Sequence, residues 1–427
     1  MKAMERIKNI IFDFDGTLAD TAPLIVATMQ ATISELSLPE RDEAQCRATI
    51  GLRLEDVPDA LWPDCPFSGE TFARTYRRIF DILKCQWTIK CYPGVIDTLR
   101  ELAACGFRLA VASSRNRSSL AEYTESFGIA DLFVTVVGGN DVSRGKPAPD
   151  PVLLICEKEN WLVDETLVVG DAVFDIEMGK NAEATTCAVT YGNQSRAELA
   201  ATRPDAIIDS FPAILAIACG VNPALVDYVE HKILPGYAAF DKAHREDHVR
   251  MVIGQSLKIA RHLGDTDIDM VYAIAAFHDL GLCNGRENHH NDSGRIILAD
   301  PFLAGHFSPA QLQIMAQAAE DHRASNKHAP RSIYGNIVAD ADRFIDAETI
   351  IRRTIQYGLA NYPQLDQDGQ YERALNHIKA KYAPGGYMKL QFPWSDNAIR
   401  LEQLHEIIAD TMRLKQIFDR IYAEETT

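Results

Sequence analysis

The chain has 427 residues, room for two domains of ordinary size, and 47% hydrophobic with 24% charged residues is the balance of a globular protein. Lys and Arg number 43 against 60 Asp and Glu, and the net charge of −17 argues against broad binding to nucleic acid or to an anionic membrane. The nine cysteines are odd in number and scattered without a CxxC pair; with no signal-like apolar stretch near Met1 and no run of membrane-spanning length, a cytosolic location is expected.

Ile10-Ile11-Phe12 predicts a short buried strand, and Asp13-Phe14-Asp15-Gly16-Thr17 follows it directly. Strand alternation turns Asp13 and Asp15 to one side, Gly16 allows a sharp turn, and Thr17 adds a hydroxyl. Two neighbouring carboxylates repel, so they call for a cation or a shared proton. Residues 18–90 then read as a mostly helical insertion, with helical spacing over 23–36 and 69–84 and a loop, Ile50 to Asp56, that carries Arg53. Beyond it helices and strands alternate: helix 95–104, strand 107–113, helix 118–127, strand 133–137, helix 150–159, strand 166–170, helix 175–182, and strands 185–190 and 205–208. That order predicts a doubly wound parallel sheet of the α/β class. The strand 107–113 ends in Ser113-Ser114. The rigid turn Gly145-Lys146-Pro147 supplies one lysine, and the strand 166–170 ends at Asp171, with Asp175 four residues on. Acid, serine, lysine and acid, three of them at strand carboxyl ends, is how an open parallel sheet builds a ligand crevice.

Over roughly residues 7–215 this set resembles the haloacid-dehalogenase-like phosphatases, in particular their phosphoglycolate-phosphatase-like branch with a helical cap. The resemblance implies that Asp13 attacks phosphorus to give an aspartyl-phosphate and that Asp15 acts as general acid, then base. It implies that Ser113 and Lys146 hold the phosphoryl oxygens, and that Mg²⁺ is held by Asp13, the backbone carbonyl of Asp15, and Asp171, with Asp175 in support. Thr17, Ser114 and Arg53, the last in the cap loop, are candidate substrate contacts. Since Asp15 is present, ester hydrolysis is favoured over phosphonate cleavage. The chemistry asks for these residue types, because a carboxylate attacking a phosphate dianion needs a divalent metal and a lysine to offset the charge.

Ala218-Cys219-Gly220-Val221-Asn222-Pro223 breaks the alternation, and a domain boundary is placed there, giving domains 1–218 (cap about 18–90) and 223–427. The second half is expected to be all-α, with helices over 223–234, 245–263, 268–279, 290–299, 309–320, 332–355, 370–382 and 396–423. Ten of the twelve histidines lie between His231 and His328. Imidazole with carboxylate suits Mn, Fe, Zn or a related divalent ion.

Over about 230–350 the order of these residues resembles the HD-domain metallophosphohydrolases. Carried over, His248 is the first ligand, His278-Asp279 the name-giving pair, His290 and His322 the two further histidines, and Asp342 the closing aspartate. Asp340 is an alternative to Asp342, and His244 a further candidate for the same cavity. One or two ions are implied. His231, His262, His306 and His328 fit nothing in the pattern and read as surface or capping residues. The expectation is a bifunctional hydrolase of small phosphorylated substrates, with self-association left open. Its alternatives are an HD half that only binds metal or nucleotide and regulates, or one that is a di-iron oxygenase.

Overall fold

A computed structural model of the chain describes residues 7–64, 67–240, 244–323 and 328–426. It divides into two compact units, Met1–His231 and Lys232–Thr427.

The first unit is built on a parallel sheet of six strands: β1 Asn9–Phe12, β2 Arg108–Ala112, β3 Phe133–Val137, β4 Thr166–Gly170, β5 Thr185–Val189 and β6 Ala206–Ile208, in the order β3-β2-β1-β4-β5-β6. Every residue of β1, β4 and β5 is buried. Strands covered on both faces read as unbroken apolar runs, which is why the sequence shows runs here rather than alternation. In register, Phe12 pairs with Val111 on one side and Val169 on the other. The residues that follow β1, β2 and β4 therefore emerge side by side at the carboxyl edge, where the strand order reverses.

Between β1 and β2 the helices Ala22–Glu35 and Gly69–Leu83, with the short helices Glu43–Arg47 and Val57–Leu61, form the cap. Its own apolar core includes Ile25, Met29, Ile33, Trp62, Phe72, Tyr76 and Phe80. Ser68 caps the second long helix by accepting a bond from the Thr71 N–H at 3.2 Å. The helix Pro223–Tyr228, which sequence reading places after the domain break, belongs to the first unit; it packs on β6 and on the helix Ile214–Ala218.

Among the described residues of the second unit every regular element is a helix, and Ile259, Val271, Ile337 and Phe392 form part of one apolar cluster. Ile351, Ile355, Leu404, Phe418 and Ile421 anchor another, among the last four helices. Two expected long helices are each broken. The segment 332–355 is Ile333–Ala341 and Ala347–Asn361, because Asp346 caps the second helix at the Thr349 N–H, 2.8 Å away. The segment 396–423 is Asp396–Ala409 and Thr411–Thr426, with Asp410 accepting from the Arg413 N–H at 3.0 Å. An aspartate at such a position competes with the helix interior for backbone donors, which apolar spacing does not report. The expected helix 223–234 is also interrupted: after Tyr228 it passes into a π-helix, Val229–Ile233, and a 3₁₀ segment, Leu234–Ala239. Among the described residues no helix is long and apolar enough to cross a membrane.

Candidate functional site

At the sheet edge, Asp13 follows β1 and is nearly inaccessible, as are Lys146, Asp171 and Asp175. The Lys146 ammonium donates to Asp13 Oδ1 and, at 2.6 Å, to Asp175 Oδ1. Burial raises the Asp13 carboxyl well above the usual range, Lys146 pulls it back, and the neighbouring acids add to the rise. Asp171 is pushed up to about 7, first by burial and then by Asp175. Three carboxylates, Asp13, Asp171 and Asp175, come within reach of one ion, and Lys146 pairs with two of them, Asp13 and Asp175. A divalent cation among them would offset the mutual repulsion that adds to the rise of Asp13 and Asp171. The donors are all oxygen, which suits Mg²⁺.

The loops around this centre are drawn in tightly. Gly16 has φ +96°, and a Cβ there would lie 2.2 Å from Asp171 Oδ2, so a side chain would fill the space beside the carboxylate. Asn193 donates through its backbone N–H (2.7 Å) and side-chain amide (2.8 Å) to Asp171 Oδ2, and its amide also reaches the Asp15 carbonyl at 3.3 Å. Asp15 accepts from Thr21 Oγ1 at 2.7 Å and from the Arg115 guanidinium at 3.2 and 2.5 Å. Arg115, Asn193 and Thr21 were not singled out in the sequence. The contacts of Arg115 and Asn193 join segments far apart in the chain and leave no local pattern, whereas Thr21 lies only six residues from Asp15.

Ser113 is buried and its Oγ accepts from the Arg115 N–H at 3.1 Å. The three residues expected to contact substrate each have a protein partner. Thr17 Oγ1 donates to Asp171 Oδ1 at 3.0 Å, which orients that acid. Ser114 Oγ lies at the cavity wall but donates to the Gly51 carbonyl of the cap loop at 2.5 Å. Arg53 donates to the Ser143 carbonyl at 2.8 Å, beside the Lys146 turn, and does not line the cavity above Asp13.

In the second unit the candidate ligands gather at helix ends. His248 lies in the first turn of Glu246–Leu263, His278 follows Ile268–Phe277, and His289 opens His289–Ala299. His322 follows Pro309–Asp321, and Asp342 follows Ile333–Ala341. Asp279 sits beyond its helix at φ −109°, ψ 2°, so it and His278 reach the same space although they are neighbours in sequence. Gly281 admits the next segment, since a Cβ there would meet the His289 carbonyl at 2.0 Å.

Asp279 faces two sets of partners. Its Oδ2 lies 3.6 Å from His248 Nε2 and 3.4 Å from His278 Nε2, with Asp342 Oδ1 3.2 Å from the same His248 nitrogen. Its Oδ1 lies 3.5 Å from His289 Nε2 and 3.4 Å from His322 Nε2. Three of the rings are oriented alike: Nδ1 of His278, His289 and His322 each bonds the carbonyl three residues back, at 2.8, 2.8 and 2.5 Å. A carbonyl can only accept, so Nδ1 carries the hydrogen and Nε2 is turned inward. The buried Nε2 atoms of His248 and His278 have no hydrogen-bond partner, and a cation would satisfy both.

The histidine brought to Asp279 is His289, in place of the expected His290. Adjacent residues on a helix point about 100° apart, and the helix starts so that the first of the two faces inward. His290 belongs to neither set, although its own Nδ1 is buried without a partner. Asp340 is engaged too: its carboxylate accepts the N–H groups of Gln391 (2.8 Å) and Phe392 (3.0 Å). His244 stands against His248 with ring centroids 5.9 Å apart. His262, expected at the surface, is exposed and stacks on Trp394 at 3.8 Å, while His306 bonds Asp269 at 3.0 Å.

Residues 10–189 match the family model of the haloacid dehalogenase-like hydrolases, and residues 245–346 that of the HD domain. A phosphoglycolate phosphatase of Vibrio vulnificus is 35% identical over 222 residues, covering 50% of this chain and 96% of that protein. The phosphoglycolate phosphatase of Salmonella choleraesuis is 30% identical over 236 residues, 50% of this chain and 94% of its own. Among solved structures, a predicted phosphoglycolate phosphatase from Haemophilus somnus is 27% identical, with 50% of this chain and 98% of that one covered and a TM-score of 0.45.

Proposed function

Because the chain belongs to the haloacid-dehalogenase-like hydrolases and carries an HD domain behind that first domain, we propose that it is a bifunctional phosphohydrolase with one hydrolytic centre in each unit. It is a hydrolase of phosphate esters. The finer reading of the first centre rests on one observation: Asp13, Ser113 and Asp171 leave adjacent strands at one sheet edge, and Lys146 joins Asp13 to Asp175 there. In this reading an Asp13 oxygen attacks phosphorus while Lys146 and Ser113 donate to the phosphoryl oxygens. The bond to the leaving oxygen breaks and Asp15 gives that oxygen its proton. Asp15 then takes a proton from water as its oxygen attacks the aspartyl-phosphate, releasing phosphate and restoring the Asp13 carboxylate. Mg²⁺, when bound by Asp13, Asp171 and the Asp15 carbonyl, offsets charge on the phosphoryl group. Asp13→Asn in the full chain is the test, since an amide of nearly the same shape cannot act as the anionic nucleophile. Hydrolysis of 4-nitrophenyl phosphate with Mg²⁺ should fall by about a thousandfold or more, with the melting temperature little changed. Retention of more than a few per cent of the rate removes Asp13 from the role.

For the second centre, the shared Asp279 between two inward-facing imidazole sets supports two divalent ions, which when bound would polarise a phosphate and acidify water. Four imidazoles and two carboxylates also suit iron, so the oxygenase reading is tested together with the hydrolase. Metal analysis of the purified chain, with nucleotide and phosphate-ester turnover compared with and without oxygen, separates them. Turnover that needs oxygen would overturn the hydrolase reading of this half, and a metal-bearing half without turnover would favour regulation.

A further inference from the structure

Above Asp13 and Asp15 lies a cavity of about 290 Å³, at the lower end of the roughly 300–1,000 Å³ usual for small-molecule sites. Its apolar wall is formed by Ile25, Met29, Leu52, Leu54, Tyr76 and Phe80. Three cationic side chains also line it, Arg77, Lys84 and Arg115. Two of them have acid partners outside the chemistry: Arg77 bonds Glu55 at 2.6 Å, and Lys84 pairs with Glu122 at 3.2 Å and Asp81 at 3.3 Å.

Arg115 differs, because its carboxylate partner is Asp15. Nε and Nη2 form a two-pronged grip on the two Asp15 oxygens, at 3.2 and 2.5 Å. The guanidinium is held independently of that grip. Its carbon lies 5.1 Å from the centre of the Phe80 ring and 5.3 Å from that of Tyr123, and Nη1 donates to Ser119 Oγ at 3.2 Å. The side chain is only 10% exposed. A buried guanidinium left without an anion is costly, so Asp15 can leave this seat readily only when another carboxylate takes it.

We propose that Arg115 selects the leaving group: a carboxylate on the leaving group takes the two-pronged seat that Asp15 fills in the free enzyme, and the apolar wall receives the ring or hydrocarbon that carries it. The substrate class is then a phosphate monoester of a hydroxy acid with an apolar body. Such a substrate turns Asp15 loose toward the scissile oxygen as it binds, whereas a neutral leaving group leaves Asp15 paired with Arg115. A two-carbon leaving group would leave the wall of Tyr76, Phe80 and Met29 facing water, and hydrocarbon that covers it gains binding energy. This inference rests on the phosphatase reading of the first centre.

The test compares kcat/KM of the full chain with Mg²⁺ on 4-carboxyphenyl phosphate, phenyl phosphate and 2-phosphoglycolate, for the wild type, Arg115→Met and Arg115→Lys. The wild type should favour carboxyphenyl phosphate over each of the others by roughly ten- to a hundredfold. Arg115→Met should lose the preference over phenyl phosphate, and Arg115→Lys, which keeps the charge without the fork, should hold only part of it. An equal loss on all three substrates in Arg115→Met, or an undiminished preference in a folded Arg115→Lys, overturns the assignment. So does a wild type that prefers phenyl phosphate or 2-phosphoglycolate. If Arg115→Met does not fold, Arg115→Lys decides alone. A wild type inactive on all three would count against the phosphatase reading, whereas turnover without carboxylate preference sinks only this one.

Discussion

At Asp279 a single carboxylate offers one oxygen to His248 and His278 and the other to His289 and His322. Its removal should therefore empty both positions, while removal of a single histidine should weaken one. His289→Ala is expected to lower the metal content of the purified chain, and His290→Ala to leave it near the wild-type value; elemental analysis of both variants checks the order. The reverse result would return His290 to the ligand set. The electrostatics add a pH dependence. Burial alone would push the His278 imidazole down, but the adjacent Asp279 charge outweighs it and lifts the group to about 9 in the metal-free protein. A ligand must be neutral, so uptake of metal near pH 7.5 should release about one proton from His278. Affinity should accordingly rise with pH until about 9. Titration calorimetry in buffers of different ionisation heat measures that release, and a heat independent of buffer would contradict it.

Helix ends, more than helix faces, carry the second centre, and this decides what could be read in advance. The strand-end residues Asp13, Ser113 and Asp171 were legible because an apolar run followed by a polar residue is a local pattern. The helix Ile268–Phe277 was legible as well, but the exit of Asp279 from it was not, because that depends on how the following turn packs. The choice between His289 and His290 turns on where one helix begins, a matter of one residue, and boundaries are where periodic patterns say least. The pair Asp340 and Asp342 shows the same limit: two acids two positions apart, at the end of one helix, with different work. Asp342 faces His248, whereas Asp340 holds the backbone of Gln391 and Phe392, and its own carbonyl accepts from Asn397 at 2.7 Å. Asp340→Ala should thus cost about 1–3 kcal/mol by leaving the buried Phe392 N–H unpaired, with the metal content unchanged. Denaturant unfolding beside elemental analysis tests it; loss of metal at wild-type stability would make Asp340 a ligand instead.

At the scale of the whole chain, each unit encloses its own apolar core, the condition for folding alone. Fragments 1–231 and 232–427 are expected to fold separately, the first with its phosphatase rate and the second with its metal. Where the first fragment ends should matter. Cys219, Val221, Leu225, Val226 and Val229 are buried, and the helix that begins at Pro223 packs on β6, so ending at residue 218 removes five core side chains. At about 1.5–3 kcal/mol each, their loss is a large part of a stability that is on the order of 5–15 kcal/mol. Fragment 1–218 should unfold at clearly lower denaturant than fragment 1–231. Equal midpoints would place the boundary back at residues 219–222. A folded fragment 1–231 that had lost its phosphatase rate would carry a different message: the first centre would depend on the second unit, as the regulatory alternative requires. Full rate in that fragment would separate the two centres, since a catalytic edge complete in itself needs nothing from residues beyond His231.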